Sequence, residues 1–261
     1  MRIAIYQVDA FADEVFRGNP AAVCPLQEWP DDRMLSKIAG ENNLSETAFY
    51  VVKGDRVEIR WFTPAVEVDL CGHATLATAY VLKKYESFPG TTIPFYSHRS
   101  GELPVTVQGD QFTLNFPADQ FSEVPLTPEL LAATDKQPVA AYRSKARTML
   151  IFDNQEDVEH LKPNLSVIAD LETGGLIVTA KAEKYDFVSR YFAPAKGVNE
   201  DPVTGSAHTT LVPYWADQLQ KQAFSAFQTS ERGGKVGCRL LGDRVELTGS
   251  AILYLKGEIY I

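Results

Sequence analysis

The sequence predicts an α+β fold of two pseudo-symmetric domains, each a curved, barrel-like and mostly antiparallel β-sheet around one central α-helix. Three observations predict it. The chain repeats itself at about half its length, each half consists mainly of short strands bounded by turn residues, and each half contains one helix too apolar to lie on a surface.

The repeat is visible in four places, always in the same order along the 261 residues. "RWFTPA" at Arg60 to Ala65 returns as "RYFAPA" at Arg190 to Ala195. "CGHATLATAYVLKK" from Cys71 is matched by "TGSAHTTLVPYWADQL" from Thr204, which sets Gly72 opposite Gly205 and Cys71 opposite Thr204. "VQGDQFTLNF" around Gly109-Asp110 is matched by "LLGDRVELTG" around Gly242-Asp243. Upstream, "SETAFYVV" at Ser45 to Val52 faces "LETGGLIV" at Leu171 to Val178, so that Glu46 is set against Glu172. The offset drifts by a few residues, as loop insertions allow. The first repeat runs out near "NFPADQF", residues 115 to 121, and the domains are expected at 1–118 and 119–261. Each is large enough to bury its own core.

In the first half the strands are "IAIYQVDAF", "AAVCPL", "TAFYVV", "RVEIRWF", "LPVTVQ" and "QFTLNF". They are rich in β-branched and aromatic residues and bounded by Gly, Pro, Asn or Asp. The helix runs from about His73 to Tyr85, with little polar surface before Lys83 and Lys84, and needs burial on nearly every side. A sheet curved around it meets that need. The second helix, about Ser206 to Leu219, carries Pro213 inside it, which removes a backbone donor and predicts a bend.

Composition narrows the function. Hydrophobic residues make up 45% and charged residues 23%, as in a globular protein. Acidic residues outnumber basic ones 34 to 25, for a net charge of −9, and no basic cluster offers a nucleic-acid surface. "MRIAIYQVDAF" lacks a signal-peptide layout, and no apolar stretch reaches the roughly 18 residues that cross a membrane. Cys24, Cys71 and Cys238 are too scattered for a disulfide framework or a metal knuckle, so the expectation is a cytoplasmic protein with no metal. Cys24 and Cys238 read as strand-core residues, and His98, His160 and His208 as surface or packing residues.

Chemistry gathers where the two helices begin. Gly72 and Gly205 precede them, and backbone N–H groups at a helix N-terminus carry partial positive charge. If the halves face each other across a cleft, that cleft would favour a small carboxylate-bearing molecule. Glu46, His73, Asp201 and Ser206 supply titratable or hydrogen-bonding groups beside it. No dinucleotide fingerprint or phosphate loop is present. The repeat offers both Glu46 and Glu172 as a general base and does not choose between them.

Four stretches, "GNPAAV" at Gly18 to Val23, "SETAF" at Ser45 to Phe49, "FTPAVEVDLCGHATLA" at Phe62 to Ala77 and "NEDPVTGSAH" at Asn199 to His208, resemble the PhzF, or phenazine-biosynthesis-like, family across essentially the whole chain. The resemblance implies the diaminopimelate-epimerase-like fold, an active site between the two domains, a cofactor-free isomerase and a homodimer. It puts the family's catalytic glutamate on Glu46, its glycine-histidine pair on Gly72 and His73, its aspartate on Asp201 and its glycine-serine pair on Gly205 and Ser206. Ser45 matches a substrate-contacting serine.

On that resemblance Glu46 would take a proton from carbon and return it. His73 and Asp201 would orient substrate or pass protons, and N–H groups near Gly72, Gly205 and Ser206 would hold its carboxylate. Two alternatives are a two-base racemase of the same fold and a non-catalytic binding protein. The racemase needs a cysteine at both helix starts, whereas this chain sets Thr204 opposite Cys71.

Overall fold

In the computed structural model, which describes all 261 residues, β1 (Arg2–Ala10) turns back antiparallel onto β2 (Asn19–Leu26). The turn between them is tight at Gly18, whose φ is 64°; a Cβ there would lie 2.1 Å from the Ala10 carbonyl oxygen. Helix α1 (Asp32–Asn42) follows, started by the Asp31 carboxylate accepting from the Met34 N–H. β3 (Glu46–Lys53) runs parallel to β2, and β4 (Arg56–Phe62) returns antiparallel along β3. After the short β5 (Glu67–Val68) comes the central helix α2 (Gly72–Tyr85). β6 (Thr92–Ser97) then pairs parallel with β4, and β7 (Gly101–Gln108) and β8 (Gln111–Pro117) continue antiparallel.

The second half repeats the scheme. β9 (Phe121–Val124) is followed by α3 (Pro128–Ala132), β10 (Ala140–Ser144), β11 (Thr148–Ile151), α4 (Gln155–His160) and α5 (Leu165–Asp170). β12 (Leu176–Lys181), β13 (Phe187–Phe192), the central helix α6 (Gly205–Leu219), β14 (Ala223–Gln228), β15 (Gly234–Leu241) and β16 (Arg244–Gly249) complete it. The last strand is β17 (Ala251–Tyr260).

Strand order makes the duplication explicit. The first half reads β17–β1–β2–β3–β4–β6–β7, with β2–β3 and β4–β6 parallel and the rest antiparallel. The second reads β9–β10–β11–β12–β13–β14–β15, with parallel pairs at the same two steps. The repeated "RWF" and "RYF" have a structural cause. Arg60 grips Glu67 with two hydrogen bonds, 2.7 and 2.9 Å, and lies over the Phe62 ring; Arg190 grips Glu200 with the same two distances and lies over Phe192. Bidentate pairing and ring stacking both demand arginine rather than lysine.

Contacts divide the chain into Met1–Asn115 with Thr248–Ile261, and Phe116–Leu247. A clean split into 1–118 and 119–261 is therefore corrected at its end: residues 248–261 group with the first half. β17 lies along β1 from Arg2–Tyr260 to Ala10–Ala251, satisfying backbone groups that an open edge would leave unpaired.

Both central helices are buried as their composition requires. Nine residues of α2 between His73 and Leu82 are buried, and α2 packs on β1, β2 and β3. In α6, Pro213 has no N–H to offer the Thr209 carbonyl one turn earlier. The Asp119 N–H fills that acceptor at 3.0 Å, while the Thr210 hydroxyl donates to the Asp119 carboxylate at 2.9 Å. α1, β6 and the short helices α3 to α5 were not expected from the sequence. The helices are brief or modestly amphipathic, and α1 leans on β3 and β4 and α4 on β12 and β13 rather than on strong local propensity.

Candidate functional site

In the first half, β2, β3 and the start of α2 bring four polar side chains together. Glu46 opens β3, and its Oε2 lies 3.2 Å from His73 Nε2 in the first turn of α2. On the other side of the ring, the Asn19 amide nitrogen lies 3.2 Å from His73 Nδ1. The Cys71 sulfur sits 3.6 Å from Nδ1 and 4.0 Å from Nε2. His73 and Asn19 are buried, whereas the Glu46 side chain keeps 18% of its surface open. Its Oε2 has no aligned hydrogen-bond donor.

Burial works against a charged imidazole here, but the Cys71 sulfur and the Glu46 carboxylate favour it, and the His73 pKa is raised well above 6.5. The Cys71 thiol is itself pushed up, by burial first and by Glu46 next. Cys71 caps α2 without a side-chain hydrogen bond, leaving the N-terminal N–H groups around Gly72 without a side-chain cap.

The second half builds a different helix start. Thr204 caps α6, again without side-chain capping, because its hydroxyl donates to Asp201 Oδ2 at 2.5 Å. Gln228, fully buried on β14, accepts from the Thr204 N–H at 2.8 Å and donates to the Asp201 carbonyl at 2.6 Å. Gly205 is buried and Ser206 half-buried in the first turn of the helix.

Of the expected site residues, Glu46, Gly72 and His73 thus come together in the first half, with Ser45 half-buried beside Glu46. Asp201, Gly205 and Ser206 come together in the second. The pairing of Glu46 with Glu172 is corrected. Thr47 sits opposite Phe62 in the β3–β4 ladder, and Leu176 sits opposite Phe192 in the β12–β13 ladder. The counterpart of Glu46 is therefore Gly175. Glu172 lies outside the strand, 76% exposed and paired with Arg143 at 2.8 Å. A three-residue slip in the repeat produced the mismatch, since only the ladder fixes register.

Two residues escaped the sequence reading. Asn19, inside "GNPAAV", holds the His73 ring, and Gln228 fixes the Asp201–Thr204 turn. The first had a signal in its motif; the second, a lone glutamine at a strand end, had none. Cys24 and Cys238 are buried in β2 and β15, the former with its thiol pushed up to about 12 by burial. His98 and His160 are exposed, and His208 is buried, its Nδ1 at 2.9 Å from the Thr204 carbonyl.

Comparison with known proteins agrees with the fold. The family model described as phenazine biosynthesis-like protein matches residues 8–257. A protein of Pseudomonas aeruginosa named as an uncharacterized isomerase is 48% identical over 259 residues, covering 99% of each chain. The crystal structure of a PhzF-family phenazine biosynthesis protein from Enterococcus faecalis superposes with a TM-score of 0.97 at 45% identity, covering 100% of both chains. A hydroxyproline epimerase from Agrobacterium vitis shares the fold alone, with a TM-score of 0.64 at 7% identity over 99% of this chain and 92% of that one. No helix is long and apolar enough to cross a membrane. With a family model matching nearly its whole length and close relatives covered end to end, this chain is an isomerase of the phenazine biosynthesis-like, or PhzF, family.

Proposed function

We propose that this isomerase moves a proton on a small carboxylate-bearing substrate, with Glu46 taking the proton from carbon and returning it. One observation carries the reading: Glu46 presents a partly exposed carboxylate whose buried oxygen meets His73 at 3.2 Å without an aligned hydrogen bond. The 18% of its side chain left open puts the carboxylate within reach of a substrate C–H, as a general base must be. The imidazolium of His73 beside it can steady negative charge that develops on the substrate, or deliver a proton to it.

Asp201, Gly205 and Ser206 are assigned to substrate handling, since the α6 start combines a carboxylate with N–H groups that no side chain caps. Ser45 and Gly72 are assigned the same task beside Glu46. A second base is disfavoured by chemistry. Thr204 holds the position matching Cys71, and its hydroxyl is already donating to Asp201. The proton transfer itself requires no cofactor once the base and the anion-stabilising N–H groups are in place. The proposal includes a cytoplasmic homodimer, on the family resemblance, which sedimentation would test.

The deciding experiment incubates the protein in deuterated water with small cyclic and amino-acid-derived carboxylic acids and follows loss of carbon-bound proton signals by NMR. Exchange that depends on Glu46 is expected. Exchange that persists undiminished in Glu46→Gln would place the chemistry elsewhere.

A further inference from the structure

We propose that Glu46, Cys71 and His73 form a binding site for a thiophilic divalent cation of the zinc type, whose occupancy ties up Glu46 and switches the enzyme off. The inhibitory half rests on the catalytic reading above; the binding half does not.

The geometry gathers three donor atoms of metal-binding type, two of their three edges near tetrahedral spacing and the third, Sγ to Oε2, within 4.8 Å. One sulfur, one imidazole nitrogen and one carboxylate oxygen lie within 4.8 Å of one another. Tetrahedral zinc, bonded at about 2.3 Å to sulfur and about 2.0–2.1 Å to nitrogen and oxygen, sets neighbouring ligand atoms roughly 3.3–3.6 Å apart. The Oε2–Nε2 edge, at 3.2 Å, already fits. The Sγ–Nε2 edge, at 4.0 Å, needs to close only slightly, which small side-chain rotations supply. Three protein ligands leave a fourth position for water, and the 18% exposure of Glu46 gives an entry path.

The donor set chooses the ion. Thiolate with imidazole and a single carboxylate suits zinc and its neighbours, whereas magnesium and calcium want oxygen ligands throughout. Outside the three ligands, Asn19 is placed to orient the ring. Turning its amide over lets the oxygen accept from Nδ1–H while Nε2 binds the metal, the arrangement metal-bound imidazoles adopt. On binding, the thiol and the imidazolium each release one proton to solvent, and no electron moves. The sequence hid this site because two ligands stand at one helix start and the third comes from a strand 25 residues earlier.

Cobalt(II) is the probe, titrated into the full chain with a phosphine reductant. The expected result is a thiolate-to-cobalt charge-transfer band with intense visible bands of four-coordinate cobalt, saturating at one ion per chain and displaced by zinc. Cys71→Ala should lose the charge-transfer band, a Cys24→Ala/Cys238→Ala double variant should keep it, and Glu46→Gln should weaken apparent affinity by roughly tenfold or more. Zinc should slow wild-type proton exchange by roughly tenfold or more, reversibly with chelator, and slow Cys71→Ala far less relative to that variant's own metal-free rate. No charge-transfer band in folded wild type, or a band that survives Cys71→Ala, overturns the site. A Cys71-dependent band with zinc-insensitive exchange overturns the switch. A Cys71-dependent band in a chain that exchanges no substrate proton supports the site and counts against the catalytic reading alone.

Discussion

At the start of α2 the residues are Cys71, Gly72 and His73, and the imidazole meets Glu46; at the start of α6 the same positions hold Thr204, Gly205 and Ser206, and the cap hydroxyl meets Asp201. Scaffold features survive in both halves: the strand order, the helix-start glycine, and an arginine that grips a glutamate while lying over a phenylalanine. The reactive groups do not survive in both. Opposite Glu46 the register sets Gly175, where a Cβ would stand 2.9 Å from the Phe192 carbonyl oxygen and 3.0 Å from the Tyr191 hydroxyl. A second carboxylate has no room there. The two helix starts are alike in backbone, and only the first has a carboxylate at this strand position.

The sharpest break in that comparison is Glu46→Gln. The amide keeps the shape and cannot take a proton, so exchange should fall by about 10²- to 10⁴-fold with the fold unchanged by circular dichroism. Equal loss from Glu172→Gln would restore symmetry between the halves and sink the assignment.

The two buried histidines should oppose each other in pH dependence. Burial pushes His208 down to about 4. Below its unfolded value near 6.5 the unfolded chain gains a proton that the folded chain refuses, so stability should fall by about 3 kcal/mol as pH drops from 6.5 to 4. For His73 the folded value is raised, so its contribution is fully present below about pH 6.5 and fades as pH rises through the raised value. Urea unfolding across pH tests both. His208→Gln should flatten the acidic limb only.

His73→Ala and Asp201→Asn should each lower turnover by about 10- to 100-fold, the worth of one hydrogen bond to a charged group. Normal turnover in either variant would remove that residue from the site. Gly175→Ala should cost about 1–3 kcal/mol of stability through overpacking, measured by thermal unfolding. Ala tolerated at Gly175 would mean that the second half could have housed a side chain. Glu172→Gln, breaking only an exposed ion pair, should change stability by less than about 1 kcal/mol and leave exchange intact.

The repeat, the helix-start glycines and the burial of both central helices were legible in the sequence because each rests on local pattern: a turn residue, a period, an apolar run. Motif resemblance added the family and a candidate list. Pairings between distant residues were not legible. Windows along the chain could not show that Ile259 would lie beside Ile3, that Asp119 would satisfy the carbonyl orphaned by Pro213, or that Asn19 would reach His73. Such pairings are chosen by which unsatisfied groups the folded backbone brings near one another. The same holds for the choice between Glu46 and Glu172, which look alike as neighbours of a strand start. Only the ladder, where a slip of a few residues moves a side chain to another place or face, set Glu46 against His73 and left Glu172 in solvent.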